Sequence, residues 1–578
     1  MLYPQSNPFR QFADLSGFWE LRFDPETQGQ RDDWGRGFRE GRPVAVPASW
    51  NDQFAEWRDY LGQTWYQTHF DLPWGWDANQ QQIHLRFGSI NYLAEIWLNG
   101  VRLGEHEGGH LPFTFDLTTH VKPEQNLLVV RVEGELAPDR VPPGNLSPDP
   151  KNMFMDQLQN FPPASFDFFP FCGIHRPVLL TATPQDAITD LTVVTELPGR
   201  IKVAVNLRGE NASVVRFSLE GTPVQAIARV SEGAANLEFD VPNPILWSPD
   251  SPHLYDLTVE LAHENTVFDR YTLPVGIREI KIESDILLLN GLPVYLQGFG
   301  RHEDFPITGR GYLPAVIIKD YALMKWVGAN SFRTSHYPYS EQMMDLADRL
   351  GFLVIDETPA VGLFFAKEGN ERRLQLCRQY IHELVDRDKN HPSVILWSLA
   401  NEPHSAVPEA KPFFRELYDL CKSLDSTRPA TLVSYVGVAE ESFEFCDLMC
   451  LNRYYGWYTD SGRLDAGCTN LEAEIDALYA KFKKPLILSE YGADTVPGHH
   501  AQPPDMFSEE YQADMLEQYS QILRSKPYVV GEHVWNMCDF KTSQGVRRVG
   551  SLNLKGVFTR DRRPKLAAHR LREIWSHK

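Results

Sequence analysis

The 578-residue sequence is short of several things, and each shortage excludes a class of protein. Its seven cysteines (Cys172, Cys377, Cys421, Cys446, Cys450, Cys468 and Cys538) include no CxxC pair. Cys446 and Cys450 have no second pair or nearby ligand histidine. This excludes a zinc ribbon or redox dithiol and leaves reduced thiols as the simple reading. No run of about 18 apolar residues occurs, so no membrane-spanning helix is expected. The opening MLYPQSNPFRQFADLSG lacks the apolar core of a signal peptide, and with the thiols this sets the expected compartment as the cytoplasm. The sequons at Asn145 and Asn211 then read as chance. Basic residues are few, 56 Lys and Arg against 77 Asp and Glu, a net charge of −21. That balance argues against nucleic acid or an anionic membrane as partner. It leaves an anionic substrate open, because salt screens distant charge and a local basic site acts at short range. Convincing metal ligands are also lacking. His382 and Glu383 do not make HExxH, since His391 is too far on. His302, Glu303 and Asp304 read as residues that shape a strand end. No metal and no cofactor are expected.

What is abundant is aromatic: 14 Trp and 22 Tyr. That suits β-sandwiches and sites for the flat faces of sugar rings. The length implies two to four domains, each able to bury a core. Up to about Pro184 the chain reads as short strands broken by turns (WYQTHFDLP, QIHLRFGSI, AEIWLNGVRLG, TFDLTTHV, LLVVRVEGE), the pattern of a jelly-roll β-sandwich. From 185 to 278 a second set (ITDLTVVTEL, IKVAVNLRG, VVRFSLEG, ANLEFDVP, LYDLTVELAH) suits an immunoglobulin-like β-sandwich. Its NPILWSPDSPHLYDL stretch reads as a Pro-rich crossing between strands.

From 279 to 578 apolar strands alternate with helix-length segments. Eight strand candidates over about 300 residues predict a (β/α)8 TIM barrel, whose chemistry sits at the C-terminal strand ends. Those ends read GRHED, RTSHYP, DETPA, NEP, NRYYGWY, SEYGAD and WNMCDF. A purely structural barrel has no need of so many polar, acidic and aromatic groups there. Glu402, after SVILWSLAN, ends the fourth candidate strand, and Glu490, after PLILS, ends the seventh. Strands four and seven face each other across a barrel mouth. Two carboxyls flanking one cleft are what glycosidic bond cleavage requires. Burial and a neighbouring carboxylate would keep one of them protonated near neutral pH.

WSLANEP, SEYGAD and the sandwich–sandwich–barrel order resemble glycoside hydrolase family 2. The resemblance spans nearly the whole chain and is closest to the β-glucuronidases of that family, through LQGFGRHED, ANSFRTSHYPY, RDKNHPSVILWSLANEP, LNRYYGWY, LSEYGADT, GEHVWNMCDF and an Asn-x-Lys motif before GVFTRDRRPK. It implies a retaining, exo-acting hydrolysis of β-D-glucuronides through a glycosyl-enzyme intermediate, with Glu402 as acid/base and Glu490 as nucleophile. By the same resemblance Asn553 and Lys555 bind the sugar C6 carboxylate, and Asn401 holds the 2-hydroxyl. One of Tyr454 and Tyr458 steadies the nucleophile or touches the carboxylate, and Asn452 opens their motif. Asp167 reaches in from the first domain to bind hydroxyls, while His336, Trp535 and Arg548 complete the wall. An Asn–Lys pair suits a carboxylate, because cation and amide would go unpaired against a neutral CH₂OH.

The sequence departs from the family pattern in two places. RVGSLNLKG carries an extra residue between Arg548 and Asn553, which is expected to shift where Arg548 sits. After DETPAVG only LFFAKEGNERRLQ precedes the next helix, which predicts an open leaving-group side, with Phe364 and Phe365 as candidate lining. Hydrolysis of β-galacturonides or β-galactosides is the nearest alternative, and a non-catalytic carbohydrate-binding protein a more distant one. The expected partners are a small-molecule or oligosaccharide substrate and further copies of the chain in a dimer or tetramer.

Overall fold

The computed structural model of the chain describes residues 1–144, 160–365 and 368–576. Asn145 lies outside these residues, and the Asn211 amide is tied to Asp186 at 2.7 Å.

The first body is a sandwich of two antiparallel sheets, one of six strands and one of four. Strict alternation buries one face of Leu93–Leu98, with Ala94, Ile96 and Leu98 inside. Four strands absent from the sequence reading, Gln11–Asp14, Gly17–Phe23, Arg42–Val46 and Val178–Pro184, complete the sheets. In Gly17–Phe23 the buried Trp19 and Leu21 flank the exposed face of Phe18, 88% accessible, so an outward aromatic blurs the period. The second body packs sheets of three and four strands. The Pro-rich stretch carries the chain from Ala234–Asp240 in one sheet to Tyr255–His263 in the other. Its Trp247 is fully buried and donates to the Asp348 carbonyl at 2.8 Å, pinning the crossing to the third body.

The third body is a closed barrel of eight parallel strands. They are β1 (Leu296–Gly300), β2 (Ser331–Arg333), β3 (Leu353–Glu357), β4 (Val394–Asn401), β5 (Ala430–Ser434), β6 (Met449–Asn452), β7 (Leu486–Glu490) and β8 (Val529–Val534). Each is buried on both faces, which is why they read as continuous apolar runs rather than alternations. Helices follow every strand except β5, where two short 3-10 turns, Gly437–Ala439 and Ser442–Glu444, stand instead. A small sheet before β1 packs Leu287 and Leu289 with Leu296, Ile355 and Ile487 and closes the N-terminal end.

The C-terminal end is left to the loops and to an arm from the first body. Phe161 exchanges backbone hydrogen bonds with Gln544, and Phe169 N donates to the Lys541 carbonyl. The arm is thereby clamped to the segment after β8, with Asp167 between the clamps. Arg560 adds a bridge from the barrel to Asp52 of the sandwich at 2.9 Å.

Candidate active site

Glu402 follows the end of β4. Its φ of +46° turns the chain out of the strand and is uncommon for a residue with a Cβ. Its backbone N–H holds the Val433 carbonyl at 2.9 Å. Glu490 is the last residue of β7 and is buried. Both line one cavity of about 510 Å³, with Asn401, Asn452, Tyr454, Tyr458, His336, Trp535, Asp167, Arg548 and Asn553.

The two carboxyls have different partners. Glu490 accepts from Arg333 Nη2 at 2.5 Å and from the Tyr454 hydroxyl at 2.6 Å. His336 Nε2 lies 3.7 Å away. Glu402 accepts from the Asn452 amide at 2.8 Å, a neutral donor. The same amide donates to Asn401 Oδ1 at 3.1 Å, and Ser489 Oγ fixes its other end by donating to Asn452 Oδ1. Burial raises the pKa of both carboxyls, Glu490 to about 8. For Glu490 the Arg333 cation and the Tyr454 hydroxyl pull down, while the charge of Glu402 pushes up. The pair therefore favours holding one proton. With that proton on Glu402 the repulsion vanishes, and the ionic donors stay on Glu490, where they suit an anion.

Arg333, fully buried at the end of β2, was given no role in the sequence reading. It links Glu490 to Glu357 at the end of β3, at 2.7 Å. Glu357 also holds His336 Nδ1 at 3.0 Å and accepts from Ser398 Oγ at 2.7 Å. Burial would raise the Glu357 carboxyl, but Arg333 and His336 bring it below its usual value. The His336 ring then stacks on Trp535 with centroids 4.8 Å apart. A charged residue ending a buried apolar strand, as in NSFRTSH and FLVIDE, was the signal available for both.

The opposite wall is cationic and already paired. Lys555 is fully buried; Nζ donates to the Tyr458 hydroxyl at 2.9 Å and makes a short ion pair with Asp494. Arg548 Nε and Nη2 donate to Asp167 at 2.8 and 2.6 Å, and Nη2 also reaches Tyr458 at 3.1 Å. Asn553 Nδ2 donates to Asp167 Oδ2 at 2.6 Å. Asp494, held below the usual carboxylate range by Lys555 and Arg548 against its burial, joins these groups and was missed in SEYGAD. So Tyr454 stands at Glu490 and Tyr458 at Lys555. Arg548 meets the cavity despite the extra residue. Lys555 does not itself line the cavity but lies behind Tyr458 and Asn553.

Of the weaker candidates, Glu303 pairs with Arg176 and Asp304 with Arg560, while His302 packs on Phe540. His500 has a partner that the sequence did not suggest, Glu510 at 2.7 Å. Glu532 is buried beside Arg524 and Tyr491, outside the cavity. Phe364 lies under the Arg373 guanidinium and Phe365 against Phe413 and Phe414, as packing residues rather than cavity lining. Among the described residues, Asp345, Asp348 and His391 come within ligand spacing of one another. His391 is already bonded to Asp348 at 2.6 Å, and the group lies away from the cavity.

Two carboxyls at the mouth of a TIM barrel, a buried one held by ionic donors and a half-buried one held by a neutral amide, define the site of a glycosidase. The comparisons with known proteins agree. The models for glycosyl hydrolases family 2 match throughout: the sugar binding domain over residues 12–184, the family 2 domain over 176–278 and the TIM barrel domain over 280–578. The chain belongs to glycosyl hydrolases family 2. It is 40% identical to the β-glucuronidase of Paenibacillus borealis, covering 100% of this chain and 98% of that one. Against the β-glucuronidase of Mus musculus it is 40% identical, covering 99% and 92%. Among solved structures, the Bifidobacterium dentium β-glucuronidase complexed with coumarin-3-O-glucuronide superposes with a TM-score of 0.94 at 37% identity, covering 100% and 99%. An uncultured Clostridium sp. β-glucuronidase gives 0.92 at 38% identity, covering 100% of both.

Proposed function

We propose that the chain hydrolyses β-D-glucuronides, releasing glucuronic acid and an alcohol by a retaining double displacement. The observation that carries this is the wall of Arg548 and Asn553, backed by the buried Lys555, on the same cavity as Glu402 and Glu490. Glu402, proton-bearing, protonates the leaving oxygen while Glu490 attacks the anomeric carbon. The C–O bond to the leaving group breaks as the Glu490–carbon bond forms. Glu402, now a carboxylate, takes a proton from water, and that water displaces Glu490. Arg333 and Tyr454 keep Glu490 anionic and aimed. Asn401, fixed through Asn452, is the residue we assign to the sugar hydroxyl adjacent to the reacting carbon.

The wall supports recognition of the substrate carboxylate by exchange: Asp167 and Asp494 hold the cations and amide until the sugar carboxylate competes for them. In water-poor surroundings such charge-assisted hydrogen bonds contribute roughly 1.5–3 kcal/mol each. His404, Tyr435 and Arg453 extend the cavity beyond the two glutamates and suit a leaving group larger than one sugar. Initial rates on aryl β-glucuronide, β-galacturonide and β-galactoside test the reading. A wild type that prefers the galactoside would sink it.

The reading includes three units, 1–184, 185–278 and 279–578, and a cytoplasmic homo-oligomer, dimer or tetramer. Support for the compartment is that all seven cysteines are free. No helix among the described residues is long and apolar enough to cross a membrane. Light scattering on the eluting protein tests the oligomer; a monomer at micromolar concentration would refute it.

A further inference from the structure

Between the first sandwich and the barrel lies a second cavity, of about 30 Å³, outside the glycosidase site. Arg176, Arg301, Arg310 and Arg562 line it, with Glu303, Asp304 and Ser340. All four guanidiniums are at least nine-tenths buried. Three of them are paired: Arg176 with Glu303 at 3.1 Å, and Arg301 and Arg562 with Asp320 at 2.5 and 2.9 Å. Arg310 makes no ion pair with a carboxylate among the described residues. Its guanidinium lies 4.2 Å over the Tyr337 ring and 5.1 Å over Phe168, with a long 3.5 Å contact to the Phe169 carbonyl.

Buried donors are left over around this cavity. Arg310 Nε, both Nε and Nη1 of Arg301, and Ser340 Oγ have no hydrogen-bond partner. Ser340 precedes the helix Glu341–Leu350, yet its hydroxyl does not cap it. The carboxylates nearby are already engaged. Glu303 accepts from Ser340 N and Arg176, and Asp304 accepts from Arg560 and Lys541 N. An unpaired buried guanidinium is destabilising unless a counterion is present, and each orphaned donor adds to that cost.

We infer that this cavity is a binding site for a small inorganic monoanion of chloride size, held by Arg310, Arg301 and Ser340. The volume suits it: a water needs roughly 10–15 Å³, so there is room for one such ion. The apolar side of the cavity, Phe305 and Ile317, suits a weakly hydrated anion better than a cluster of waters. The ion would sit behind the wall of the glycosidase site. Arg310 stacks on Phe168, the neighbour of Asp167, and the Phe168 ring lies 6.2 Å from His336. It would therefore neutralise Arg310, which has no carboxylate partner among the described residues, in the joint that holds the arm on the barrel.

The test uses the whole protein, dialysed into sodium gluconate, a bulkier and more strongly hydrated anion than chloride, as the reference. Titration with sodium chloride or bromide at constant ionic strength should raise Tm saturably, by on the order of 1–2 °C. Crystals soaked in sodium bromide should show an anomalous peak between Arg301 and Arg310. Ser340→Ala, which removes one donor and no packing, should weaken the half-saturating chloride about tenfold. Arg310→Gln should abolish the response; if that variant does not fold, the serine variant and the bromide map still decide. Equal Tm in chloride and gluconate, or a cavity holding only water in bromide, overturns the proposal. So does a bromide peak without any Tm response, since the ion is then bound at crystal concentration only.

Discussion

Lys555 and Asp494 form a buried ion pair directly behind the cationic wall of the cavity, with Arg548 as a second cation on the same carboxylate. Asp494 thus holds the positive wall in place before any substrate arrives. Removing one member of a buried pair leaves the other uncompensated, which is costly in itself.

Lys555→Ala should lower kcat/KM for aryl β-glucuronide by about 10–150-fold, the equivalent of one charge-assisted hydrogen bond, and leave β-galactoside rates nearly unchanged. Asp494→Asn should raise KM for the glucuronide through misplaced Lys555 and Arg548, with kcat less affected. Steady-state kinetics on both substrates distinguish the two. Equal losses on the acidic and the neutral sugar would contradict a carboxylate-reading wall.

The donor sets of the two glutamates predict different failures. Glu402→Gln should reduce kcat/KM by roughly 10²–10⁴-fold for an alkyl leaving group and far less for nitrophenol, which needs no proton. Glu490→Gln should fail on both. If Glu402→Gln were equally poor on both leaving groups, the acid/base role would pass elsewhere.

The rate should follow a bell in pH, with the acid limb from ionisation of the Glu490 side of the pair and the alkaline limb from loss of the Glu402 proton. Burial raises the Glu402 pKa, and the Asn452 hydrogen bond to its ionised form opposes that rise. Asn452→Ala removes this opposing bond, so the alkaline limb should move to higher pH. A limb that stays put or moves down, in a pH profile of kcat/KM, would disprove the assignment.

Arg333→Met should abolish activity and also destabilise the protein by about 3–5 kcal/mol, because Glu357 and Glu490 then share a buried site without their cation. The double variant Arg333→Met/Glu357→Gln should recover part of the stability but not the activity. Urea melts of the three proteins measure this. A double variant no more stable than the single would show that the pair does not act as a unit.

The sequence by itself determined the alternation of apolar strands and helix lengths, and with it the barrel. Both depend on local periodicity and on burial of whole strands such as VILWSLAN, which a linear string records. It also determined which residues end those strands, so Glu402 and Glu490 were legible, and the family motifs supplied Asn553 and Lys555. The strand Gly17–Phe23 was not legible, because Phe18 breaks the alternation on the outer face.

Only the tertiary structure decided who pairs with whom. Arg333 with Glu490 spans 157 positions, Asn553 with Asp167 spans 386, and Arg548 with Asp167 spans 381. Electrostatic pairing acts through space over a few ångströms, and nothing in local propensity encodes a partner hundreds of residues away. The same reason hid Asp494, one carboxylate in an acidic strand end, until folding placed two cations on it, and hid the unpaired Arg310 until the sandwich closed over the barrel.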